Sequence, residues 1–170
     1  MLKHINVGRS SQRAHSRKDA KKKHFRPTAV AVITKGDKVL LVYSEKSKSW
    51  GPVKGGIHKG ESLIKAVWRE IKEEIGLTPE DFEERYRYLG SATDKGFAGK
   101  MKSQDFANCK HLHVVHLRLK RRHRKLKLEE GKITAFKFVG NRESFMALPM
   151  KSRRQQILVN ALQRVGISWA

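Results

Sequence analysis

The chain has 170 residues, and its 38 Lys and Arg against 16 Asp and Glu give a formal net charge of +22 at pH 7. This length is typical of one globular domain with appendages, and the single cysteine, Cys109, excludes an intramolecular disulfide. No apolar segment approaches the ~20 residues of a membrane-spanning helix, so no membrane partner is expected. The positive charge favours polyanionic partners such as nucleotides and nucleic acids.

The N-terminal segment is the most basic part of the sequence. Residues 1–27 contain nine Lys or Arg and one acidic residue, with little apolar periodicity. We therefore predict a basic arm without fixed structure over residues 1–24 and a folded domain over residues 25–170. The single cysteine favours a cytoplasmic location. The arm is also rich in basic residues and poor in acids, as organellar transit peptides are, so organellar targeting is the alternative.

A β-hairpin is predicted directly after the arm. The β-branched and apolar residues 28–34 and 39–44 flank the turn signal Gly36-Asp37. Residues 50–61 follow a polar loop and contain four glycines and one proline, which indicates a shaped loop or a broken strand.

A helix is predicted over residues 62–75, because apolar residues recur there at spacings of three and four. They are Ile64, Val67, Trp68, Ile71 and Ile75. Gly76 follows at the position of a left-handed C-terminal cap.

The second half of the chain alternates strands with loops. We predict a short helical turn over residues 78–84, a long loop over 94–108 and a final helix over 151–165. Strands are predicted over 85–93, 110–119 and 133–140.

Residues 118–127 hold seven Lys or Arg and no acid, so this run and the arm are candidate contacts for RNA phosphates. In the strand 110–119, His111 and His113 lie on one face and His116 on the other, so a histidine metal site is not expected.

Three glutamates, Glu70, Glu73 and Glu74, crowd one flank of the predicted helix beside its apolar stripe. Like charges so close repel one another and usually need a counter-charge. Mg²⁺ commonly binds through a few carboxylates together with substrate phosphates. The alternative for the glutamates alone is an exposed acidic face offset by nearby lysines.

The surroundings of the glutamates match a known motif. The chain contains the pattern G-x5-E-x7-R-E-U-x-E-E-x-G-U, in which U is aliphatic. Its fixed positions are Gly55, Glu61, Arg69-Glu70-Ile71, Glu73-Glu74 and Gly76-Leu77. This is the complete Nudix box. Through this motif the chain resembles the Nudix hydrolases. The resemblance implies an α/β fold, the Nudix α/β/α sandwich, with a mixed β-sheet between the Nudix helix and a C-terminal helix.

The resemblance also implies a chemistry, which is Mg²⁺- or Mn²⁺-dependent hydrolysis of a pyrophosphate bond in a nucleoside polyphosphate. Glu70, Glu73 and Glu74 would be the metal ligands, with one of them serving as general base, and the Lys54 main-chain carbonyl would complete the shell. A later carboxylate often joins the site in the family. Glu129 and Glu130 are the candidates, and we select Glu130.

The other residues of the box receive mainly structural roles. Arg69 is predicted to hold a carboxylate through bidentate hydrogen bonds and so to belong to the catalytic group. Glu61 lies near the helix N-terminus, where negative charge is favoured. Gly55 and Gly76 are expected to shape the loop and the helix end.

The segments 25–33 and 50–62 resemble bacterial RNA pyrophosphohydrolases and dinucleoside polyphosphate hydrolases, although Pro52-Val53 stands where those relatives carry Phe-Pro. The predicted substrate is therefore an RNA 5′ polyphosphate or a dinucleoside polyphosphate, contacted by Lys54, Arg26 and Tyr43. The alternatives are a nucleotide sugar, an oxidised nucleoside triphosphate, or a non-catalytic protein of the same fold that binds RNA or ribosomes.

Overall fold

The computed structural model describes residues 26–94 and 110–169. The strands are β1 (Arg26–Lys35), β2 (Lys38–Ser44), β3 (Ser49–Gly51), β4 (Val53–Gly56), β5 (Phe82–Asp94), β6 (Lys110–Leu119) and β7 (Ile133–Val139). The helices are α1 (Leu63–Ile75), α2 (Arg142–Met146) and α3 (Ser152–Arg164), and Pro79–Asp81 forms a 3₁₀ turn before β5. No helix within these residues is long and apolar enough to cross a membrane.

All seven strands belong to one mixed sheet with the order β3-β2-β1-β6-β5, in which β7 pairs with β2 and β4 with β1. Strand β1 lies parallel to β6 along its length, and the other pairs are antiparallel. The C-terminal end of β1 pairs with β2, whereas its N-terminal half pairs with β4, where Ala29 lies opposite Gly55. The centre of the sheet therefore positions the glycine loop that precedes α1.

Each face of the sheet carries its own hydrophobic core, because side chains alternate between the two faces along a strand. The first core joins Ala29, Ile33 and Val115 to the apolar stripe of α1. The second joins Val30, Val32 and Val114 to α3 and α2. The molecule is thus an α/β/α sandwich with the mixed sheet between α1 and the C-terminal helix, as the resemblance implied.

Helix α1 begins and ends where its sequence signals lie. The Ser62 hydroxyl accepts a hydrogen bond from the main-chain N–H of Lys65, which satisfies one of the free donors of the first turn. Gly76 ends the helix with φ +70°. A Cβ there would lie 2.9 Å from the Cβ of Lys127, so glycine serves both the left-handed conformation and the close approach of a second segment.

One prediction of local structure needs correction, and one observed helix was not predicted. The helical turn ends at Asp81, and residues 82–84 are the start of β5, because Phe82 is buried in the first core and pairs with Leu119. Helix α2 was not predicted, although Asn141 caps it by accepting a hydrogen bond from the main-chain N–H of Ser144.

The predicted loop 94–108 lies outside the described residues except for Asp94, which belongs to β5. The predicted arm also lies outside them.

The predicted histidine pattern is confirmed. The rings of His111 and His113 lie 4.5 Å apart on one face of β6. On the other face His116 is buried, and its Nε2 lies 2.8 Å from the hydroxyl oxygen of Thr34. Burial and the nearby guanidinium groups of Arg118 and Arg87 lower the pKa of His116 to about 4, so it is neutral at physiological pH.

Candidate active site

The site begins at the loop glycine of the box. The side chain of Glu70 crosses the main chain of Gly55, and its carboxylate occupies the space that a Cβ would need there. Glu70 is buried, with 6% of its surface exposed. The absence of a side chain at Gly55 is therefore what allows the first turns of α1 to bring a carboxylate against β4.

Arg69 connects the loop to the helix. Its Nε and Nη2 atoms donate to the two carboxylate oxygens of Glu61 at 2.9 and 3.0 Å, which is a bidentate pair. Its Nη1 donates to Glu70 Oε1 at 2.5 Å and to Glu73 Oε2 at 3.5 Å. Its Nη2 also reaches the carbonyl oxygen of Gly56 at 2.8 Å. One guanidinium thus fixes three carboxylates and the main chain of the loop.

The bidentate partner of Arg69 is Glu61. Helical angles alone would place Glu73 closer to Arg69. Glu61 also accepts a hydrogen bond from the main-chain N–H of His58 at 2.9 Å. The hydrogen bonds from Arg69 and His58 lower the pKa of Glu61 to about 2. Glu61 therefore closes the loop as an ion-paired carboxylate.

Glu74 lies deeper than the other glutamates of the box, with 4% of its surface exposed. Burial raises the pKa of its carboxyl group, although the Lys54 and Lys132 ammonium groups and the Lys54 main chain oppose that rise. Among the described residues, Glu74 Oε2 has no hydrogen-bond partner. Lys54 is partly buried in the same region, and its pKa is lowered by burial and by neighbouring cations.

The remaining acids differ in exposure. Glu73 and Glu130 are exposed, whereas Glu129 is partly buried. The main-chain N–H of Glu129 donates to the carbonyl oxygen of Glu74 at 3.1 Å, and that of Lys127 donates to Ile75 at 2.9 Å, so this segment satisfies carbonyls at the end of α1. The packing of this segment on α1 places Glu129, rather than Glu130, beside Glu74.

Lys132 supplies positive charge where these acids converge. Its Nζ lies 3.0 Å from Glu129 Oε2. Burial alone would lower the pKa of Lys132, but the carboxylates of Glu129, Glu74 and Glu70 raise it. This lysine was not among the predicted site residues. Its position depends on the path of residues 126–132 along α1, which no local pattern in the sequence indicates.

The donors of this region suit a hard divalent cation, which takes carboxylate oxygens. The buried Glu74 Oε2 and the Glu70 carboxylate over Gly55 are two such oxygens. As placed, no three acidic, histidine or cysteine side chains in residues 26–94 and 110–169 form a complete metal-binding group. Arg69 engages Glu70 and Glu73 instead, and Lys132 lies beside Glu129.

Two of the predicted substrate contacts, Arg26 and Tyr43, lie on β1 and β2. The guanidinium of Arg26 approaches Gly56 so closely that a Cβ there would lie 2.8 Å from Nη2. The ring of Tyr43 packs edge-on against that of Trp50, with 5.5 Å between the centroids, on the α3 side of the sheet. Arg26 therefore lies against the glycine loop at Gly56, and Tyr43 lies further along the sheet.

The basic run 118–127 is only partly available for a ligand. Asp81 is buried and accepts two hydrogen bonds from the Arg124 guanidinium, at 3.0 and 2.8 Å to Oδ2. The Lys120 ammonium donates to the carbonyl oxygen of Glu80 at 2.8 Å. Other members of the run are exposed, namely Arg118, Arg121, Arg122, Lys125 and Lys127.

Curated relatives match only part of the chain. An RNA pyrophosphohydrolase from Francisella tularensis subsp. mediasiatica is 36% identical over 55 residues, which is 32% of this chain and 36% of that protein. The matched segment therefore spans about a third of the length of that relative. The RNA pyrophosphohydrolase of Francisella philomiragia is 34% identical over the same share.

Solved structures match over most of the chain. The E. coli dihydroneopterin triphosphate pyrophosphohydrolase aligns with a TM-score of 0.64 and 18% identity, covering 84% of this chain and 99% of that one. A C. elegans Ap4A hydrolase aligns with a TM-score of 0.62 and 19% identity, covering 83% and 98%. The NUDIX domain of Shewanella oneidensis NrtR, solved with ADP ribose, aligns with a TM-score of 0.65 and 17% identity, covering 84% of this chain and 90% of that one. At these identities the likeness shows the shared fold.

The family model described as the NUDIX domain matches residues 24–160, which is most of the chain. The match includes the whole glutamate motif and the strands that position it. The chain therefore belongs to the Nudix family.

Proposed function

We propose that this protein is a metal-dependent pyrophosphohydrolase whose substrate is a nucleoside polyphosphate, either an RNA 5′ end or a dinucleoside polyphosphate. The observation that carries the proposal is the pair of buried carboxylates, Glu70 and Glu74, beside β4. Glu70 lies over the glycine and accepts a hydrogen bond from Arg69. Glu74 lies beside Lys54, and its Oε2 atom has no hydrogen-bond partner among the described residues. A surface acidic face would not bury two glutamates.

Glu70, Glu73 and Glu74 would hold Mg²⁺ or Mn²⁺, together with the Lys54 carbonyl, and Glu129 is better placed than Glu130 to add a further carboxylate. When bound, the metal would neutralise phosphate oxygens and lower the pKa of a water, whose attack on phosphorus breaks the phosphoanhydride bond and releases the other phosphate group. Arg69 orients Glu70 and Glu73 for this task. A carboxylate of the cluster would accept the proton of the attacking water, and Arg26 would offset phosphate charge at the rim.

The substrate assignment is supported by the named relatives and by charge. The curated relatives described above, which match about a third of the chain, are RNA pyrophosphohydrolases, and one structural neighbour is an Ap4A hydrolase. The net charge of +22 suits a polyanion of either kind. The basic arm and the exposed part of the run 118–127 would add sequence-independent contacts to RNA phosphates in the cytoplasm.

A substrate panel tests the proposal. The full-length protein is incubated with Mg²⁺ and a 5′-triphosphate RNA, diadenosine tetraphosphate, ADP-ribose or an oxidised nucleoside triphosphate, and the products are separated by chromatography. We expect cleavage of the RNA 5′ end or the dinucleotide, with none in EDTA. Cleavage of ADP-ribose or the oxidised nucleotide alone would instead assign one of those substrates, and a completely inactive protein that binds RNA would be a non-catalytic binder.

A further inference from the structure

A cavity lies at the end of the sheet away from the glutamate motif. Its volume is about 570 Å³, and Thr34 at the end of β1 is part of its lining. Thr34 is five residues from Ala29, which pairs with Gly55, so the cavity lies about 17 Å from the glycine loop along β1. Sites for small molecules have volumes of this order. The glutamate chemistry does not use this cavity, which we call the Trp169 cavity after the ring on its wall.

Buried polar groups form the floor of the Trp169 cavity. Thr34 and His116 both line it, and they are 2% and 5% exposed. The Thr34 hydroxyl oxygen lies 2.8 Å from His116 Nε2. A hydroxyl group has one donor and two acceptor positions, so the contact with one imidazole nitrogen leaves it able to bond a ligand. The floor therefore offers uncharged hydrogen-bonding groups at a buried position.

The segment that follows α3 forms an aromatic wall. The ring of Trp169 packs against that of Phe145, with 5.0 Å between the centroids. Its Nε1 donates to the carbonyl oxygen of Asp37 at 3.3 Å, which holds the segment against the turn between β1 and β2. Trp169 and the apolar Val165 and Ile167 line the cavity together. A fixed indole ring on a cavity wall suits a flat aromatic ligand.

A second cavity continues from the first, because Glu83, His116 and Arg118 line both. Its volume is about 350 Å³, and Arg85 and Arg87 line it as well. Arg87 lies directly opposite His116 across β5 and β6. Arg118 follows His116 by two residues on the same face of β6. The strand register and the shared lining therefore bring three guanidinium groups to one cavity, which we call the arginine cavity.

The charges of the two cavities differ. Among the residues that the structure describes, Arg85, Arg87 and Arg118 form no ion pair with a carboxylate, and Arg87 donates to the carbonyl oxygen of Arg164 at 3.2 Å. Glu83 offsets one of these three charges, so the arginine cavity keeps a positive excess that suits a phosphate group.

The Trp169 cavity has the opposite balance. It is lined by the carboxylates of Asp37 and Glu83 and by one guanidinium, that of Arg118. These acids repel a phosphate group, and they accept hydrogen bonds from amino groups. The polarity of the two cavities thus sets the direction in which an anionic aromatic ligand would lie.

We propose that the two cavities form a second site, which binds a nucleoside 5′-phosphate with its phosphate at the arginines and its base beside Trp169. Asp37 and Glu83 favour a base that carries an amino group, namely adenine, guanine or cytosine, over uracil. The site lies at the other end of the sheet from the glutamates and takes no part in hydrolysis. The inference therefore goes beyond the proposed function and does not depend on it.

The test uses AMP as the probe and full-length protein, with binding measured by calorimetry in EDTA. AMP contains no phosphoanhydride bond, so it cannot be hydrolysed as the proposed substrates are. The variants are Arg118→Met and Arg85→Met, which replace exposed side chains. Arg121→Met is the matched control, because Arg121 is an exposed member of the same basic run but lies outside both linings. Glu74→Gln reports on AMP bound at the glutamates.

We expect the affinity for AMP to fall about tenfold in Arg118→Met and in Arg85→Met, which is the loss of one charge-assisted contact. Arg121→Met and Glu74→Gln should bind within about twofold of wild type. Wild-type affinity in both arginine variants would overturn the site. A loss in Glu74→Gln as large as that in Arg118→Met would place AMP at the glutamates and would overturn it as well.

The aromatic wall is tested by Trp169→Leu, in which the affinity for AMP should fall about tenfold because a stacking surface is lost. Trp169→Phe keeps an aromatic ring and should retain most of the affinity. Thermal unfolding shows whether both variants are folded. Equal affinities in folded Trp169→Leu and wild type would contradict the position of the base, and the exposed arginine variants decide the outcome if Trp169→Leu does not fold.

Further probes separate a nucleotide from other phosphates. AMP should bind about tenfold more tightly than ribose 5-phosphate and more tightly than UMP. Equal affinities for AMP and ribose 5-phosphate would reduce the site to a phosphate patch and overturn the nucleotide assignment. So would a single-stranded RNA without a 5′ phosphate that binds through Arg118 when AMP does not bind. A protein that binds AMP through Arg118 but hydrolyses none of the substrate panel would keep this site and refute the proposed function.

Discussion

The carboxylate of Glu70 occupies the space above Gly55 where any other residue would place its Cβ. The two residues are fifteen positions apart in sequence, but β4 and α1 bring them into contact. The glycine of the motif is therefore part of the site itself and not only of the loop.

The replacement Gly55→Ala should displace the Glu70 carboxylate, because a methyl group and the carboxylate cannot share one volume. A misplacement of about 1 Å in a site can cost about 100-fold in rate, and we expect a loss of kcat/KM of that order. Steady-state kinetics with a hydrolysed substrate measures it. Gly51→Ala is the control, since its Cβ would meet only Lys54 Nζ at 3.7 Å, and it should stay within a few-fold of wild type. An active Gly55→Ala enzyme would show that Glu70 moves freely.

The Arg69–Glu61 pair predicts that lysine cannot replace arginine. Lysine cannot make the bidentate bond to Glu61 while also holding Glu70 and the Gly56 carbonyl. In Arg69→Lys we expect Mn²⁺ affinity and kcat/KM to fall about 10–100-fold, as is usual when a partner of a metal ligand is removed. Lys72→Met, an exposed change on the same helix, should have little effect. Unchanged Mn²⁺ affinity in Arg69→Lys would contradict the positioning role.

The Asp81–Arg124 pair anchors the basic run outside the site, so its loss should affect stability and spare catalysis. Asp81→Asn is expected to lower the free energy of unfolding by about 1–3 kcal/mol, since a buried acceptor of several hydrogen bonds is replaced while Arg124 stays partly exposed. Denaturant titration at pH 7 measures this. Glu80→Gln is the control, because Glu80 is 81% exposed and lies 3.7 Å from the same guanidinium.

The same pair has a defined pH dependence. Burial raises the pKa of Asp81, but hydrogen bonds from Arg124 and Thr78 outweigh it and hold the pKa at about 2. A depressed pKa stabilises the fold above the unfolded pKa of about 4 and ceases to do so as the pH falls towards 2. The stability difference between wild type and Asp81→Asn should therefore be full at pH 6 and shrink between pH 4 and pH 2. A difference independent of pH would mean that the charge of Asp81 is not what matters.

Metal affinity should depend on pH through Glu74. Because burial raises the pKa of this carboxyl group, protons compete with metal at higher pH than they would at an exposed glutamate. We expect Mn²⁺ affinity, measured by electron paramagnetic resonance, to increase as the pH rises from 6 to 8. In Glu74→Gln, which has no proton to displace at that position, the increase should be smaller. Equal slopes in the two proteins would exclude Glu74 as the titrating ligand.

The sequence was sufficient for the parts of the fold that depend on local signals. The first helix was predicted over 62–75 and begins one residue later, at Leu63, because Ser62 is its cap. Strand β6 was predicted with its observed bounds. The alternation that placed His116 apart from the other histidines is also seen. Helical angles also placed the three glutamates on one flank of that helix.

What the sequence did not indicate depends on contacts between distant segments. Helical angles bring Arg69 close to Glu73, but the bidentate bond goes to Glu61, whose position is set by the fold of the loop. Lys132 reaches the acids because residues 126–129 dock on the end of α1. Arg154 was not assigned to the apolar face of the last helix, although it lies three and four residues before Ile157 and Leu158 of that face, and the packing of α3 on the sheet buries it.

Hydrolysis by Glu74→Gln, compared with wild type at saturating Mg²⁺, tests the central claim most directly. If the buried carboxylate helps to hold the metal at the scissile phosphoanhydride, the variant should lose at least about 100-fold in kcat/KM, equivalent to about 3 kcal/mol or more of transition-state stabilisation, while remaining folded. Turnover by the folded variant at the rate of the wild-type enzyme would contradict the account.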